Sequence, residues 1–450
     1  MKKRIEEILK FDKFVYDNFS IDYGNDHISI DYYYEIEGLK KFKHHLELPY
    51  SNQNIDKEYV EKLVFNIGLL EMISYWKATI SKNIVINCGT INKEQEDFFK
   101  KIFYYGLGEF FYVNGLKPEY DNFVNFSSIG KVYDKNINYS GSGRIIAIGG
   151  GKDSCVSLEL LKECDNNSCF IINPKEVTLN CALVSGFDES SIYKVKRVID
   201  KGLLELNEDG FLNGHTPFSA MVSFVSFLLA YLNNKKDIVL SNESSANQVN
   251  VLGTKINHQY SKSYEYEVDF SNYAKKYLGS NIRYFSLLRP LSEYQIGLLF
   301  ARKCKNYFKV FKSCNVGSKN KSWNWCCKCA KCLFVFSLLS PHLYEKELVD
   351  IFGVDMFQDE RLLQLFKELL GKENVKPFDC VGTFEEVNYA ITKTIKNLDN
   401  TKLPYLLSYY KKNYEDESIL KMNFESSYEE ENNLDEFYSN IVKEAIKYDR

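Results

Sequence analysis

Five short apolar runs follow one another after residue 144, at 145–148, 170–173, 192–199, 238–240 and 284–287, and stretches of helical periodicity separate them. Strands buried on both faces read as unbroken apolar runs, and strands alternating with helices build a mainly parallel sheet covered on both sides. The pattern predicts an α/β fold with a parallel-sheet domain over 144–385. Within it, 217–232 reads as a buried core helix, shorter than the ~20 residues a membrane span needs. Ser219, Ser223 and Ser226 fall on one face of that helix.

Residues 1–140 have a different texture and predict a smaller α+β domain placed before the parallel sheet. Period-two alternation over 14–36 surrounds Tyr23-Gly24-Asn25-Asp26, a hairpin signal. Residues 60–76 and 94–116 carry helical spacing, with Ile84-Val85-Ile86 as a strand between them. His27, His44 and His45 read as surface residues. The polar stretch 118–143 is expected to connect the two units. The charged segment 386–450 is expected to be helical, with the acidic run 426–433 solvated.

The chain has 450 residues, 45% of them hydrophobic and 26% charged, too apolar for a disordered protein. A net charge near −4 argues against a nucleic-acid partner. Glu6, Glu7 and Lys10 interrupt any signal-peptide core after Met1-Lys2-Lys3-Arg4. Together with clustered thiols, this predicts a reducing, cytoplasmic setting and no membrane insertion.

Residues 145–148 run into Gly149-Gly150-Gly151-Lys152-Asp153-Ser154 and then a helix-like 155–162. A strand, a glycine turn and a helix N-terminus make an anion site: glycines admit the ligand close to the backbone, and free N–H groups and the helix dipole favour negative charge. Lys152 adds a cation, Ser154 a hydroxyl and Asp153 a carboxylate able to hold Mg²⁺. A Walker loop would need Gly at 146 and Ser or Thr at 153, where Ile146 and Asp153 stand; a dinucleotide fingerprint would need Gly or Ala at 154. The loop resembles the S-G-G-x-D-S pyrophosphatase loop (PP-loop) of synthetases that split ATP into AMP and pyrophosphate. Gly149 replaces its leading serine.

Cys326, Cys329 and Cys332 form a C-x2-C-x2-C run, with Cys314 upstream. Four thiolates can close a tetrahedron around Zn²⁺, leaving no open position, which makes a structural site. Cys327 could substitute for a neighbour. An iron–sulfur reading loses its C-x3-C continuation at Phe336. The remaining seven cysteines, Cys380 among them, read as core residues.

Three polar segments suit ligands. His215, in Asn213-Gly214-His215-Thr216-Pro217, stands at the mouth of the buried helix as an acid/base or phosphate candidate, with Thr216 a possible N-cap. Asn242 and Glu243 follow the run 238–240, where open parallel sheets bind ligands. Arg289, just after 284–287, suits a carboxylate or phosphate, or an ion pair with Glu293 at i+4. Lys262 is a weaker candidate for a substrate anion.

Taken in order, IGGGKDS (148–154), NGHTP (213–217), SNESSA (241–246), NHQYSKS (257–263), YFSLLRPLSE (284–293), SCN (313–315), WCCKCAKC (325–332) and KPFDCVG (376–382) resemble the family of ATP-dependent UDP-N-acetylmuramoyl-L-alanyl-L-glutamate epimerases. The resemblance implies an adenine-nucleotide α-hydrolase-like fold. It also implies a cytoplasmic enzyme of peptidoglycan precursor synthesis that inverts the terminal glutamate of the muramoyl dipeptide, with ATP and Mg²⁺ consumed through an acyl-adenylate. Carried onto this chain, residues 149–154, Asn242 and Glu243 would meet nucleotide and Mg²⁺. Lys262 and Arg289 would meet substrate, and His215, Lys152, Asp153 and Arg289 would serve the chemistry. Two other readings stay open: a carboxylate-adenylating synthetase similar to 7-cyano-7-deazaguanine synthase, and a non-catalytic zinc-stabilised binding protein.

Overall fold

Gly24 turns the chain at 23–26, where its N–H donates to the His27 carbonyl at 2.9 Å. Strand β1 (Lys13–Tyr23) pairs there with β2 (His27–Ile36), and β2 with β3 (Lys40–Pro49), all antiparallel. The computed structural model describes residues 3–52, 54–247, 257, 260–319, 324–398 and 402–447. Seven further strands complete one sheet: β4 (Asn83–Ile86), β5 (Asn125–Ser128), β6 (Arg144–Ala147), β7 (Asn167–Ile172), β8 (Ile192–Val198), β9 (Asp237–Leu240) and β10 (Arg283–Ser286). Their spatial order is β10-β9-β6-β7-β8-β3-β2-β1-β4-β5, and β6 to β10 are mutually parallel.

The five runs thus become β6 to β10, but β8 departs from the both-faces-buried pattern: Lys194, Lys196 and Val198 are exposed and only Ile192 and Val195 are buried. Residues 1–140 do not form a separate sheet, because β3 pairs antiparallel with β8, Leu46 opposite Arg197. The polar connection 118–143 also contributes the edge strand β5, parallel to β4. Its Asn-Phe-Ser-Ser sequence carries too little apolar periodicity to announce a strand.

Alternate side chains along the parallel strands enter two different cores, as a period of two requires. Ile145, Phe170, Ile238, Leu240 and Tyr284 join the N-terminal residues and the helix Phe218–Leu232. Ile146, Cys169, Ile171, Val239 and Phe285 join the opposite core, formed with helices Lys152–Leu160, Glu293–Lys303, Ala330–Leu339, Phe384–Asn397 and Glu436–Lys447. The helix at 217–232 is buried as expected, and its Ser223 hydroxyl lies 2.6 Å from Tyr266 Oη.

His44 corrects the surface reading: it is fully buried, because it shares the inward face of β3 with Phe42, Leu46 and Leu48. Its Nδ1 lies 2.9 Å from Tyr75 Oη and its Nε2 3.5 Å from Glu71 Oε2. Arg197 places Nε 2.9 Å and Nη2 2.6 Å from the same buried carboxylate. Burial opposes ionisation of Glu71, but Arg197 and His44 hold its carboxyl well below the usual range.

The C-terminal segment is helical at Phe384–Asn397, Tyr405–Asn413 and Glu436–Lys447. It is also tied to the sheet, since Tyr438 donates to Asp237 Oδ2 at 2.7 Å and accepts from Arg144 Nε at 2.9 Å. The acidic run 426–433 is exposed at Ser427 and at 429–431 but half-buried at Ser426, Tyr428, Asn432 and Asn433. It crosses the turn after β10: Gln295 donates to the Ser427 carbonyl, and the Glu429 N–H donates to the Pro290 carbonyl. Among the described residues no helix is long and apolar enough to cross a membrane.

Candidate active site and metal centre

From β6 the chain moves through β7 to β8 on one side, whereas β9 and β10 lie on the other. The carboxyl ends of β6 and β9 therefore flank a topological switch point, the place where open α/β sheets have their ligand crevice. The glycine loop follows β6, and Ser241-Asn242-Glu243 follows β9. Ser157 and Ser241 tie the two at 2.7 Å between hydroxyls.

The loop has the form of an anion cradle. Gly149 is exposed, with no atom within 4 Å of where a Cβ would stand. Gly150 has φ +81°, a left-handed conformation that suits glycine, and its carbonyl accepts from Lys312 N–H at 2.8 Å. Gly151 ends the turn against Ser313, whose Oγ would lie 2.7 Å from an added Cβ. The nine-residue helix Lys152–Leu160 starts there without a side-chain cap, and Ser154 Oγ bonds the Gly151 carbonyl at 2.9 Å.

Lys152 is fully buried, and its ammonium contacts both Asp153 and Glu293. Burial works against its charge, but the two carboxylates hold the lysine above its usual range. Asp153 keeps a quarter of its side chain exposed. Burial would raise Asp153, yet Lys152, Lys331 and Lys262 hold it below its usual value. Burial pushes the Glu293 carboxyl up to about 7, with Asp153 and Glu243 adding to the rise and Lys152 and Lys331 opposing it.

Glu293, Glu386, Lys331 and Lys376 escape a motif-by-motif reading of the sequence. Glu386 Oε1 accepts the Glu293 N–H at 2.7 Å, while its Oε2 accepts the Thr383 N–H at 2.6 Å, so one buried carboxylate caps two helices. Lys331 Nζ lies 4.0 Å from Glu293 Oε1. Burial lowers the nearby Lys376 to about 8. Glu293, Lys331 and Lys376 at least stand inside motifs read for other residues, whereas Glu386 lies beyond the last of them, which ends at Gly382.

Arg289 is almost fully buried and does not pair with Glu293. It donates to the Glu243 carbonyl at 2.7 Å, to the Lys262 carbonyl at 2.6 Å and to Glu267 Oε2 at 3.0 Å. The i+4 spacing fails as a guide because Ser292 begins a new helix between the two residues, capped through Gln295. Arg289 thus holds two polar segments at the crevice. Asn242 likewise spends its amide on Ser286 Oγ, at 3.0 Å. Lys262 Nζ lies 3.2 Å from Cys380 Sγ. Of the stretch 257–263, His258 and Gln259 lie outside the described residues.

Among the described residues, the contacts of His215 run to Glu109 and Lys77 rather than to the charged chain around Lys152. Its Nδ1 lies 3.4 Å from Glu109 Oε2, and Lys77 Nζ reaches the carbonyls of Gly214 and His215. Thr216 does not cap the following helix, which begins after Pro217; its hydroxyl accepts from Lys77 at 2.6 Å instead.

Cys314, Cys326, Cys329 and Cys332 bring their sulfurs within 4.8 Å of one another. Individual separations are 3.9 Å for 314–329, 3.8 Å for 326–332 and 3.5 Å for 329–332. Zn–S bonds of about 2.3 Å put the edges of a tetrahedron near 3.8 Å, so the cluster could hold a structural metal such as zinc. Cys327 stands apart: at φ +52° its sulfur turns to the Phe352 carbonyl, 3.3 Å away.

An α/β sheet with a charged crevice at its switch point and a four-thiol knuckle beside it defines the class of this protein. Within that class, the chain belongs to the MurL family. The family model of the MurL N-terminal domain matches residues 6–287, a span that ends just after β10, and that of the MurL C-terminal domain matches residues 310–421. Three relatives carry the name UDP-N-acetyl-alpha-D-muramoyl-L-alanyl-L-glutamate epimerase. That of Xanthomonas oryzae pv. oryzae is 32% identical over 76% of each chain. That of Micromonospora sp. is 32% identical over 86% of this chain and 88% of its own, and that of Salinispora tropica 33% over 86% of each. No solved structure matches the chain.

Proposed function

We propose that this chain is an ATP-dependent epimerase that converts UDP-N-acetylmuramoyl-L-alanyl-L-glutamate to the D-glutamate epimer. The observation that carries the reading is the Lys152 ammonium held between Asp153 and Glu293 beneath the open turn at Gly149. An open glycine turn followed by a helix N-terminus accepts phosphate, and a buried lysine there meets developing negative charge.

The α-proton beside a carboxylate is a poor acid, because the carbanion would stand next to negative charge. Joining that carboxylate to AMP, with release of pyrophosphate, removes the charge and makes the acyl carbonyl an electron sink. A general base can then take the proton, and return of a proton to the other face inverts the centre. Hydrolysis of the mixed anhydride frees the product. Residues 149–154 would bind the phosphates, with Asn242 and Glu243 across the switch point. Asp153 and Glu243 offer the hard oxygen donors that suit Mg²⁺, which when bound neutralises phosphate charge. Lys262 and Arg289 support the substrate side, Arg289 by fixing the Lys262 and Glu243 backbones. His215, oriented by Glu109, is a proton-transfer group. The four cysteines would hold Zn²⁺ as a structural ion. The setting is the cytoplasm, where the nucleotide-linked precursor is made.

The test incubates the protein with ATP, Mg²⁺ and the L,L-dipeptide precursor and follows AMP, pyrophosphate and glutamate chirality. AMP together with D-glutamate is expected. AMP that appears only with ammonia and another carboxylate would mark a synthetase, and no AMP with any substrate would mark a binding protein.

A further inference from the structure

Cys380 reads in the sequence as a core thiol, but the fold takes it elsewhere. It is half-buried, in the segment just before the helix Phe384–Asn397. Lys262 Nζ lies 3.2 Å from its sulfur, and Lys331 Nζ reaches its carbonyl oxygen. Lys331 then meets Glu293, and Glu293 meets Lys152, so a run of contacts joins the Cys380 main chain to the glycine loop. An ammonium at hydrogen-bond distance favours the thiolate, the form of cysteine that accepts a proton. Burial opposes the charge on Lys262, but Cys380, Glu243 and Asp153 keep it protonated.

A second pair stands on a neighbouring element. The Tyr112 and Phe378 rings meet at 5.5 Å between centroids, so the helix Gly108–Val113 lies against the segment that carries Cys380. Glu109, on the same helix, holds His215 Nδ1 at 3.4 Å. A thiol–ammonium pair and an imidazole–carboxylate pair are thus carried by two elements in contact.

We infer that Cys380, held by Lys262, is a catalytic proton-transfer group that serves one face of the α-carbon, while His215 serves the other. The inference rests on the epimerase reading above. The α C–H bond breaks, its proton passes to Cys380 Sγ to form S–H, and the electron pair moves into the acyl carbonyl of the activated substrate. The imidazolium of His215 delivers a proton to the opposite face, forming the new C–H bond. Thiol and imidazole then exchange protons with solvent before the next turnover. Two groups with separate protons place a solvent hydrogen on the product.

The experiment compares wild-type protein with C380S and C380A in D₂O, with ATP, Mg²⁺ and the dipeptide precursor, and measures pyrophosphate, α-deuterium and chirality. Both variants should still release pyrophosphate, because activation precedes proton removal, while inversion falls about 10²–10⁴-fold. Wild-type product should carry deuterium at the α-carbon. Inversion within threefold of wild type in either variant would overturn the assignment. So would joint loss of pyrophosphate release and inversion in both, which would place the thiol in the activation scaffold. Wild-type protein that releases no pyrophosphate overturns the function and this assignment together, a result distinct from either of those.

Discussion

Lys331 and Cys332 are consecutive residues whose side chains end in different centres. Cys332 Sγ lies 3.5 Å from Cys329 Sγ in the thiol cluster, while Lys331 Nζ reaches the Cys380 carbonyl and lies 4.0 Å from Glu293 Oε1. Whatever fixes the four sulfurs fixes the register at which the helix Ala330–Leu339 presents a cation to the crevice.

Breaking the four-thiol cluster should therefore damage the crevice as well as stability. C332S should bind no zinc by elemental analysis, melt at a lower temperature and release pyrophosphate at least tenfold more slowly. C327S should keep its metal, because Cys327 faces the Phe352 carbonyl. Equal metal content in wild type and C332S would refute the four-thiol site.

Lys152 should be needed twice over. K152M should lower pyrophosphate release about 10²–10³-fold, the scale of losing one preorganised charge. It should also leave Asp153 and Glu293 without their shared cation, at a cost of about 3–5 kcal/mol in urea unfolding. Adding E293Q to K152M should recover part of that stability but none of the rate.

Glu293 should give stability a pH dependence. Its carboxyl is raised from 4.5 to about 7 in the folded chain, so folding favours the protonated form. That contribution is fully present below about pH 4.5 and is lost as pH rises through about 7. The melting temperature of wild type should fall relative to that of E293Q between pH 5 and 7.5. Parallel curves would show that Glu293 is ionised throughout.

The junction of the two sheet halves should depend on Glu71 and Arg197. R197M leaves a fully buried carboxylate with His44 as its remaining ion-pair partner among the described residues, and should cost about 3–5 kcal/mol. R197M combined with E71Q should cost less than R197M alone. A double variant as unstable as the single one would mean that the loss comes from packing.

Strand β8 carries Lys194, Lys196 and Arg197 and buries only Ile192 and Val195. Strands β6, β7, β9 and β10 were legible because burial on both faces leaves an apolar run that needs no partner to be recognised. The same holds for the glycine loop and the thiol spacing, each of which is local. What could not be read is set by pairing across the chain. Arg289 sits four residues from Glu293 yet bonds Glu267, because a helix starts between them. His44 looks exposed until β3 fixes its side of the pleat. The β3–β8 joint and the edge strand β5 depend on neighbours distant in sequence. Lys331 and Cys380 stood within recognised motifs, but nothing local separates a lysine or a thiol that enters a crevice from one that merely borders it.

The tie between Lys312 N–H and the Gly150 carbonyl has a reach of its own. Two residues later, Cys314 supplies the first sulfur of the knuckle, so the turn that would grip a phosphate and the clasp that would grip an ion share one short thread of main chain. A guest seated in the turn should stiffen that thread, and the ion should then escape to a chelator more slowly. The knuckle would serve as a stopwatch for occupancy of the crevice.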